Sequence, residues 1–368
     1  MNKKVMFLCD YISLYGGNFV PSLMALEDAL KEKEISCIYV FPEEASERFW
    51  FKKLEEMGKC IETYMFHGTK IQKIREIKGL VDKYKVSILH SHFTSVTAVE
   101  FLAVSNPNLR VFIHIHSDFD LGTYGLKQRF RDIRMYRLLS GNVRFLSVSK
   151  DFVIHNPKKI RWVPNALATN RVTCEHAGGD YIRELLNVKK DETLILMFGW
   201  SPIVKGVDIA INAIKQINEE CLGRVKIAVV CGREITPMKM KQWIISNTNC
   251  NGNESYLCYL EPTEDVFSYY EAADILLSAS RSEGFSYAIL EMLSLGKRCV
   301  ISDIPGVSWA KEFETVVPFM TENAESCANG LLKAIRSVSP KSDKTIAKIR
   351  QEYSIVKWAN TIIEEYGV

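Results

Sequence analysis

The feature that most restricts this chain is a repeated alternation of two kinds of segment. Short, unbroken apolar runs alternate with longer stretches whose apolar residues recur at i, i+3 and i+4. In the first half the runs are "KVMFLCDY", "ISCIYVF", "CIETYMF", "VSILHSHF", "RVFIHIHS", "VRFLSVS" and "IRWVPN". Between them lie amphipathic stretches such as "FVPSLMALEDALKEKE" and "KIQKIREIKGLVDKYK". Unbroken runs suit strands covered on both faces, and the 3.6-residue period marks helices. The second half repeats the pattern with "TLILMFG", "VKIAVVCG", "SYLCYLE", "ADILLSAS", "RCVISD" and "TVVPF". Strand, helix, strand in succession predicts α/β domains with doubly wound, Rossmann-like parallel sheets. A length of 368 residues suits two of them. The join is expected near 170, because Asn165 to Asp180 is polar and lacks periodicity. Ligands of such sheets bind at the carboxyl ends of strands, so chemistry is expected on residues just after strands, in a cleft between the domains.

Composition narrows the class. No segment approaches the ~18 unbroken apolar residues of a spanning helix. The opening "MNKKVMFLCDYIS" has too short an apolar stretch for a signal-peptide core. Ten cysteines stand singly with no C-x-x-C pair, so the expectation is reduced thiols in a cytoplasmic protein. The net charge of +3 hides an asymmetry: 26 Lys and Arg face 18 Asp and Glu up to Arg171, against 21 and 26 beyond it. A basic half suggests an anionic partner on that side only. Within it, Gly125 to Ser140, "GLKQRFRDIRMYRLLS", reads as a basic amphipathic helix. It suits either anionic lipid head groups or a solvated face. Nucleic acid is not expected, because aromatic and basic residues do not interleave and no binding module is present.

Several residues fall where chemistry is expected. Glu283 and Gly284 come just after "ADILLSAS", past Arg281 and Ser282, and a helix then runs to about Leu295 and stops at Gly296. Its N-terminus favours an anion such as a phosphate. Glu291 lies ~12 Å further along that axis at ~1.5 Å per residue, a distance that one nucleotide-sugar spans. Tyr287, Glu291 and Ser294 also share one helical face, so a solvated Glu291 is the other reading. Lys205 precedes a helix in "FGWSPIVKGVDIAINAI", either to meet a phosphate or as a surface lysine. Gly16 and Gly17 in "YGGN" follow the first strand and allow close backbone approach or a plain tight turn. Their spacing is not G-x-G-x-x-G. His90 and His92 end one strand, and His114 and His116 end the next, each pair on one face. Four imidazoles at strand ends are compatible with zinc, but no carboxylate or cysteine partner is evident. The favoured reading puts one histidine in the cleft while the others pack.

Together these residues resemble the retaining glycosyltransferases of family 4, with the GT-B fold, over nearly the whole chain. Glu283 and Glu291 in "SEGFSYAILEM" match the E-x7-E motif. "FGWSPIVKG" is similar to the family's G-R-x-x-x-x-K-G segment, "WVPNAL" to its V-P-N-G, and "YGGN" to its glycine loop. "YSIVKWANTIIEEYG" resembles its terminal helix, so 353–368 is expected to cross back to a first domain of 1–170, leaving 171–352 as the second.

The resemblance implies a transferase moving a sugar from a nucleotide-diphosphate sugar, with UDP-sugars favoured, to a lipid-linked or oligosaccharide hydroxyl. The setting it implies is cell-surface polysaccharide or glycolipid assembly at the inner face of the membrane. It implies no cofactor and no catalytic metal. Glu283, His116 and Lys205 carry the catalytic assignments. Glu291, Gly284, Phe285, Ser286, Trp200 and Ser201 join Lys205 on the donor side. Gly16, Gly17, Asn18 and Asn165 shape the acceptor and phosphate loop. Trp200 stands where the family usually has an arginine, so Lys205, helix N–H groups and Arg233 or Arg281 are expected to balance the diphosphate. Trp200 also leaves a non-catalytic sugar- or partner-binding subunit as the alternative.

Overall fold

The computed structural model describes residues 3–65, 67–94, 96–116, 141–150, 160–168, 171, 178–220, 224–337 and 341–368. The basic segment Gly125–Ser140 lies outside them. The chain divides into two compact units, Met1–Ala166 with Ile355–Val368, and Leu167–Ser354. Near the ends of the second unit, the Leu167 amide donates to the Tyr353 carbonyl at 2.8 Å.

The first unit holds β1 (Lys4–Cys9), β2 (Ser36–Pro42), β3 (Ile61–Tyr64), β4 (Ile88–His92), β5 (Arg110–Ile115), β6 (Val143–Ser147) and β7 (Ile160–Trp162). They form one parallel sheet in the order β3-β2-β1-β4-β5-β6-β7. Helices α1 (Phe19–Lys31), α2 (Phe49–Glu56), α3 (Lys70–Tyr84) and α4 (Val96–Ser105) fill the crossovers. The unbroken apolar strands sort by alternation onto two cores. Val5, Phe7 and Cys9 face one side with Phe19, Leu23, Trp358 and Tyr366, while Met6 and Leu8 face the other with Ile77, Val99 and Leu102. Both faces are therefore covered, as a parallel sheet requires.

The second unit repeats the plan with β8 (Thr193–Phe198), β9 (Val225–Val230), β10 (Leu257–Leu260), β11 (Ile275–Ser278), β12 (Arg298–Ser302) and β13 (Val316–Phe319). All pairs are parallel, in the order β10-β9-β8-β11-β12-β13. Its helices are α5 (Gly179–Leu185), α6 (Val207–Glu220), α7 (Pro237–Asn247), α8 (Val266–Ala272), α9 (Tyr287–Ser294), α10 (Ala324–Arg336) and α11 (Asp343–Glu352). The last helix, α12 (Ile355–Tyr366), returns to the first unit and packs on α1 through Trp358, Ile362 and Tyr366. All thirteen expected strands are present. In each sheet the order reverses between the first and fourth strands, β1 and β4 or β8 and β11. Crevices at the carboxyl ends of strands open where order reverses, so these points locate the sites.

Candidate functional site

In the second unit, the switch point lies between the loop after β8 and the loop after β11. The first loop closes on itself: the Lys205 amide donates to the Ser201 carbonyl at 2.8 Å, and the Val207 amide to that of Pro202 at 3.0 Å. Gly206 then adopts φ +64°, and a Cβ on it would stand 2.0 Å from the Ala279 carbonyl oxygen. Only glycine fits this approach, which lays the loop on the end of β11. Lys205 is thereby brought to Glu283, its Nζ 2.5 Å from Oε1, and the Ser280 hydroxyl donates to the same oxygen at 2.8 Å. Both charged side chains are 12% exposed. A cavity of about 20 Å³, room for about one water, lies beside them, lined by Phe198, Lys205, Ser280, Glu283 and Ser286 among others. Trp200 is 56% exposed, with the Lys205 ammonium 4.8 Å from its ring centroid. An indole face thus attracts the cation that the carboxylate holds from the other direction.

Arg281 is engaged by two carboxylates. Its guanidinium meets both Asp208 oxygens at 3.0 and 2.8 Å, and its Nε meets Glu322 at 2.9 Å. Its amide also donates to the Val204 carbonyl at 2.8 Å. It is a strut fastening the two loops. Burial pushes the Asp208 carboxyl up, but hydrogen bonds and charge from Arg281 outweigh this and hold it below its ordinary value. Arg233, the other arginine considered, is exposed just past β9.

Helix α9 carries the rest of the expected donor side. Ser286 is its N-cap, the hydroxyl accepting from the Ile289 amide at 3.4 Å. Phe285 is buried, its ring stacked on Trp309 at 4.4 Å, and Gly284 is buried beside it. Gly296 ends the helix at φ +69°, the left-handed cap expected of it. Glu291 is 5% exposed, which removes the solvated reading. Its Oε2 accepts from the Tyr270 hydroxyl at 2.7 Å, and its Oε1 lies 3.3 Å from Arg171. Tyr270 is placed by α8, whose closing carbonyls at Tyr270, Glu271 and Ala273 all receive the Lys297 ammonium within 2.9 Å. Burial, then the Glu291 charge, pushes the Tyr270 phenol well above its ordinary value, so it remains a donor.

The first unit's switch point holds the other expected residues. Gly17 takes φ +55°, and a Cβ on Gly16 would press Val20 and Trp50 at 3.3 Å, so local turn geometry and packing account for both. Asn18 is buried and precedes α1. His116 follows β5, its Nε2 3.0 Å from His92 Nδ1, and Asn165 hydrogen-bonds its side chain. Phe93 stacks on His116 at 4.1 Å and is 43% exposed. Its φ of +60° is a conformation that bulky residues rarely adopt and that clusters at functional sites. Burial holds His90, His92 and His116 well below the ordinary imidazole range, and His114 down to about 4.

Sequence reasoning missed Tyr270, Arg171, Ser280 and Asp208, the partners of the motif residues. It also missed Asp10 at the end of β1, which accepts from Tyr64, from Thr94 at 3.2 Å and from Lys73 at 2.9 Å. Asp10 had a signal, a carboxylate directly after the first strand. Tyr270, Arg171 and Asp208 lie on separate elements and had none, while Ser280 stands in the motif's own loop, three residues before Glu283.

Two Rossmann-like parallel sheets in one chain, each with residues gathered at its switch point, define the GT-B fold of glycosyltransferases. Residues 180–352, most of the second unit, match the family model described as glycosyl transferases group 1. The chain is 20% identical over 247 residues to the lipopolysaccharide 1,2-N-acetylglucosaminetransferase of Salmonella typhimurium, covering 64% of this chain and 60% of that protein. Its fold is similar to that of a glycosyltransferase from Rickettsia africae, with a TM-score of 0.77, 16% identity and coverage of 99% and 97% of the two chains. It is also similar to Anabaena HepE in complex with UDP-glucose, with a TM-score of 0.73, 15% identity and coverage of 99% of each chain.

Proposed function

We propose that this chain is a retaining sugar transferase that takes its sugar from a nucleotide-diphosphate donor, UDP-sugars first. The observation that carries the reading is the Lys205–Glu283 pair at the β8–β11 switch point, within the stretch that matches the glycosyl transferases group 1 model. In this reading Glu283 accepts hydrogen bonds from hydroxyls of the donor sugar, and Glu291 from the ribose. The bond from the anomeric carbon to the diphosphate oxygen breaks, and its electron pair leaves with the diphosphate. Lys205 and the amides opening α9 oppose that growing negative charge. An acceptor hydroxyl bonds to the same face of the anomeric carbon, and its proton passes to a diphosphate oxygen. His116, steadied by His92 and Asn165, is assigned a hydrogen bond to the transferred sugar. Trp200 screens Lys205 on the exposed side, where its indole takes no charge from the diphosphate.

A polysaccharide or glycolipid acceptor is the class proposed, in keeping with the similarity to the lipopolysaccharide N-acetylglucosaminetransferase of Salmonella. Among the described residues no helix is long and apolar enough to cross a membrane. Contact with a membrane face is proposed through the basic stretch 125–140. Salt-sensitive sedimentation with anionic liposomes tests it, and no binding at low salt removes it. The donor is tested by thermal shift against UDP-, GDP-, ADP- and CMP-sugars, since a ligand of the native state raises the midpoint. The reading expects one nucleotide series to raise it in the wild type and not in Glu291→Ala. No shift with any series overturns it. A shift without nucleotide release over a broad acceptor panel favours the binding-subunit alternative.

A further inference from the structure

We infer that the first unit binds a transition-metal ion of the zinc class between β4 and β5, through His90, His92 and His114. His90 and His92 lie two residues apart on β4, and His114 is the register partner of His92 on β5. Period-two alternation therefore turns all three to one face of the sheet, the face packed by α1 and α12. They are 0%, 0% and 2% exposed. A ring nitrogen from each lies within 4.8 Å of one from each of the others.

Each ring is anchored through one nitrogen and idle at the other. His90 Nδ1 lies 2.7 Å from the Tyr366 hydroxyl, His92 Nδ1 lies 3.0 Å from His116 Nε2, and His114 Nε2 lies 3.3 Å from the Val163 carbonyl. The remaining atoms, His90 Nε2, His92 Nε2 and His114 Nδ1, are buried with no hydrogen-bond partner among the described residues. The carbonyl of Val163 only accepts, so His114 carries its proton on Nε2 and leaves a lone pair on Nδ1. With Tyr366 and His116 accepting in the same way, the tautomer state that a bound cation selects, lone pairs also stand on His90 Nε2 and His92 Nε2. Metal-ligating histidines show this arrangement, the outer N–H held by a carbonyl or other acceptor and the inner nitrogen free. A water molecule brings two protons and satisfies two of three acceptors. A cation satisfies all three.

The chemistry selects the ion. Three neutral imidazoles suit Zn²⁺, Cu²⁺ or Ni²⁺ over Mg²⁺ or Ca²⁺, which take oxygen ligands. With Zn–N of about 2.0–2.1 Å, tetrahedral donors stand about 3.4 Å apart, so the rings must draw together on the order of an ångström. The His90 and His114 rings now lie parallel with centroids 5.5 Å apart, so loading turns at least one of them about its χ2. The ion would be structural: it would tie β4 to β5, and through Tyr366 and His116 would steady α12 and the β5 strand end. The assignment is independent of sugar transfer.

The test uses the full chain, refolded with ZnCl₂ and then passed through gel filtration. About one zinc per chain is expected by elemental analysis, with a thermal midpoint above that of protein refolded in chelator. Cobalt in place of zinc is expected to give the visible absorption of a nitrogen-ligated tetrahedral site. His90→Asn and His114→Asn are expected to lose the metal, whereas His67→Gln, at a side chain 82% exposed, keeps it. Retention below about a tenth of an equivalent by the wild type overturns the site whatever the variants do. Equal retention by the wild type and a folded His90→Asn also overturns it.

Discussion

Glu291 offers the sharpest energetic test, because its burial separates a working carboxylate from a helix-surface one. Glu291→Ala removes the acceptor of a hydroxyl that is itself buried, Tyr270 being 1% exposed. An orphaned buried hydroxyl costs about 1–3 kcal/mol. The lost methylene adds about 0.8 kcal/mol. The Arg171 pair adds about 1 kcal/mol at most, because that side chain is 21% exposed and returns to water. Alanine regains roughly 0.3–0.4 kcal/mol in helix propensity. The sum predicts a loss of about 2–4 kcal/mol. Tyr270→Phe alone is expected to cost about 1.5–2 kcal/mol, a hydrogen bond to a charged group. The double variant has no orphaned hydroxyl, so it is expected to cost less than the sum by about 1–2 kcal/mol. Hydrogen exchange of the α9 and β11 amides in the full chain reads this locally, since a two-unit protein need not unfold in one step. Additivity within about 0.5 kcal/mol, or a Glu291→Ala loss under about 0.5 kcal/mol, would show that Glu291 and Tyr270 are not coupled in this way.

Two further predictions test the frame of the site. Gly206→Ala forces a Cβ to 2.0 Å from the Ala279 carbonyl oxygen at a positive φ, so a loss of about 3 kcal/mol or more is expected by denaturant unfolding, with the Lys205 loop displaced. Acidification tests the linked carboxylates: burial raises Asp208 and Glu27, but Arg281, and Lys59 with Tyr39, outweigh it and lower both. A carboxylate with a lowered folded pKa contributes stability that is present above its unfolded value, near 4, and lost as pH falls through the folded value. Thermal midpoints are therefore expected to fall below about pH 4, less steeply in Asp208→Asn. An unchanged slope in that variant counts against the Arg281 strut.

The strands were legible because both faces of each sheet are covered, which leaves their apolar runs unbroken. The end of α9 was legible because Gly296 marks a left-handed cap. The meaning of Glu291 was not, because its partners sit on α8 and at Arg171, brought in only by tertiary packing. Helical spacing alone put Tyr287, Glu291 and Ser294 on one face without saying that Glu291 and Ser294 are buried there. The Arg281 pairing was hidden for a related reason. Its neighbour in sequence is the motif, but its neighbour in space is Asp208, one residue into α6. The histidines show the same limit, since period two pairs them within a strand but only the β4–β5 register sets His92 beside His114.

In the proposed reaction Glu283 and Lys205 handle the donor sugar and its leaving diphosphate. The most direct measurement is release of nucleoside diphosphate from the donor that gives a thermal shift, for wild type, Glu283→Ala and Lys205→Ala at matched folded fractions. Turnover is expected in the wild type and a loss on the order of 100-fold or more in each variant, as when charge stabilisation at a reacting centre is removed. Wild-type release from a folded Glu283→Ala protein would contradict it.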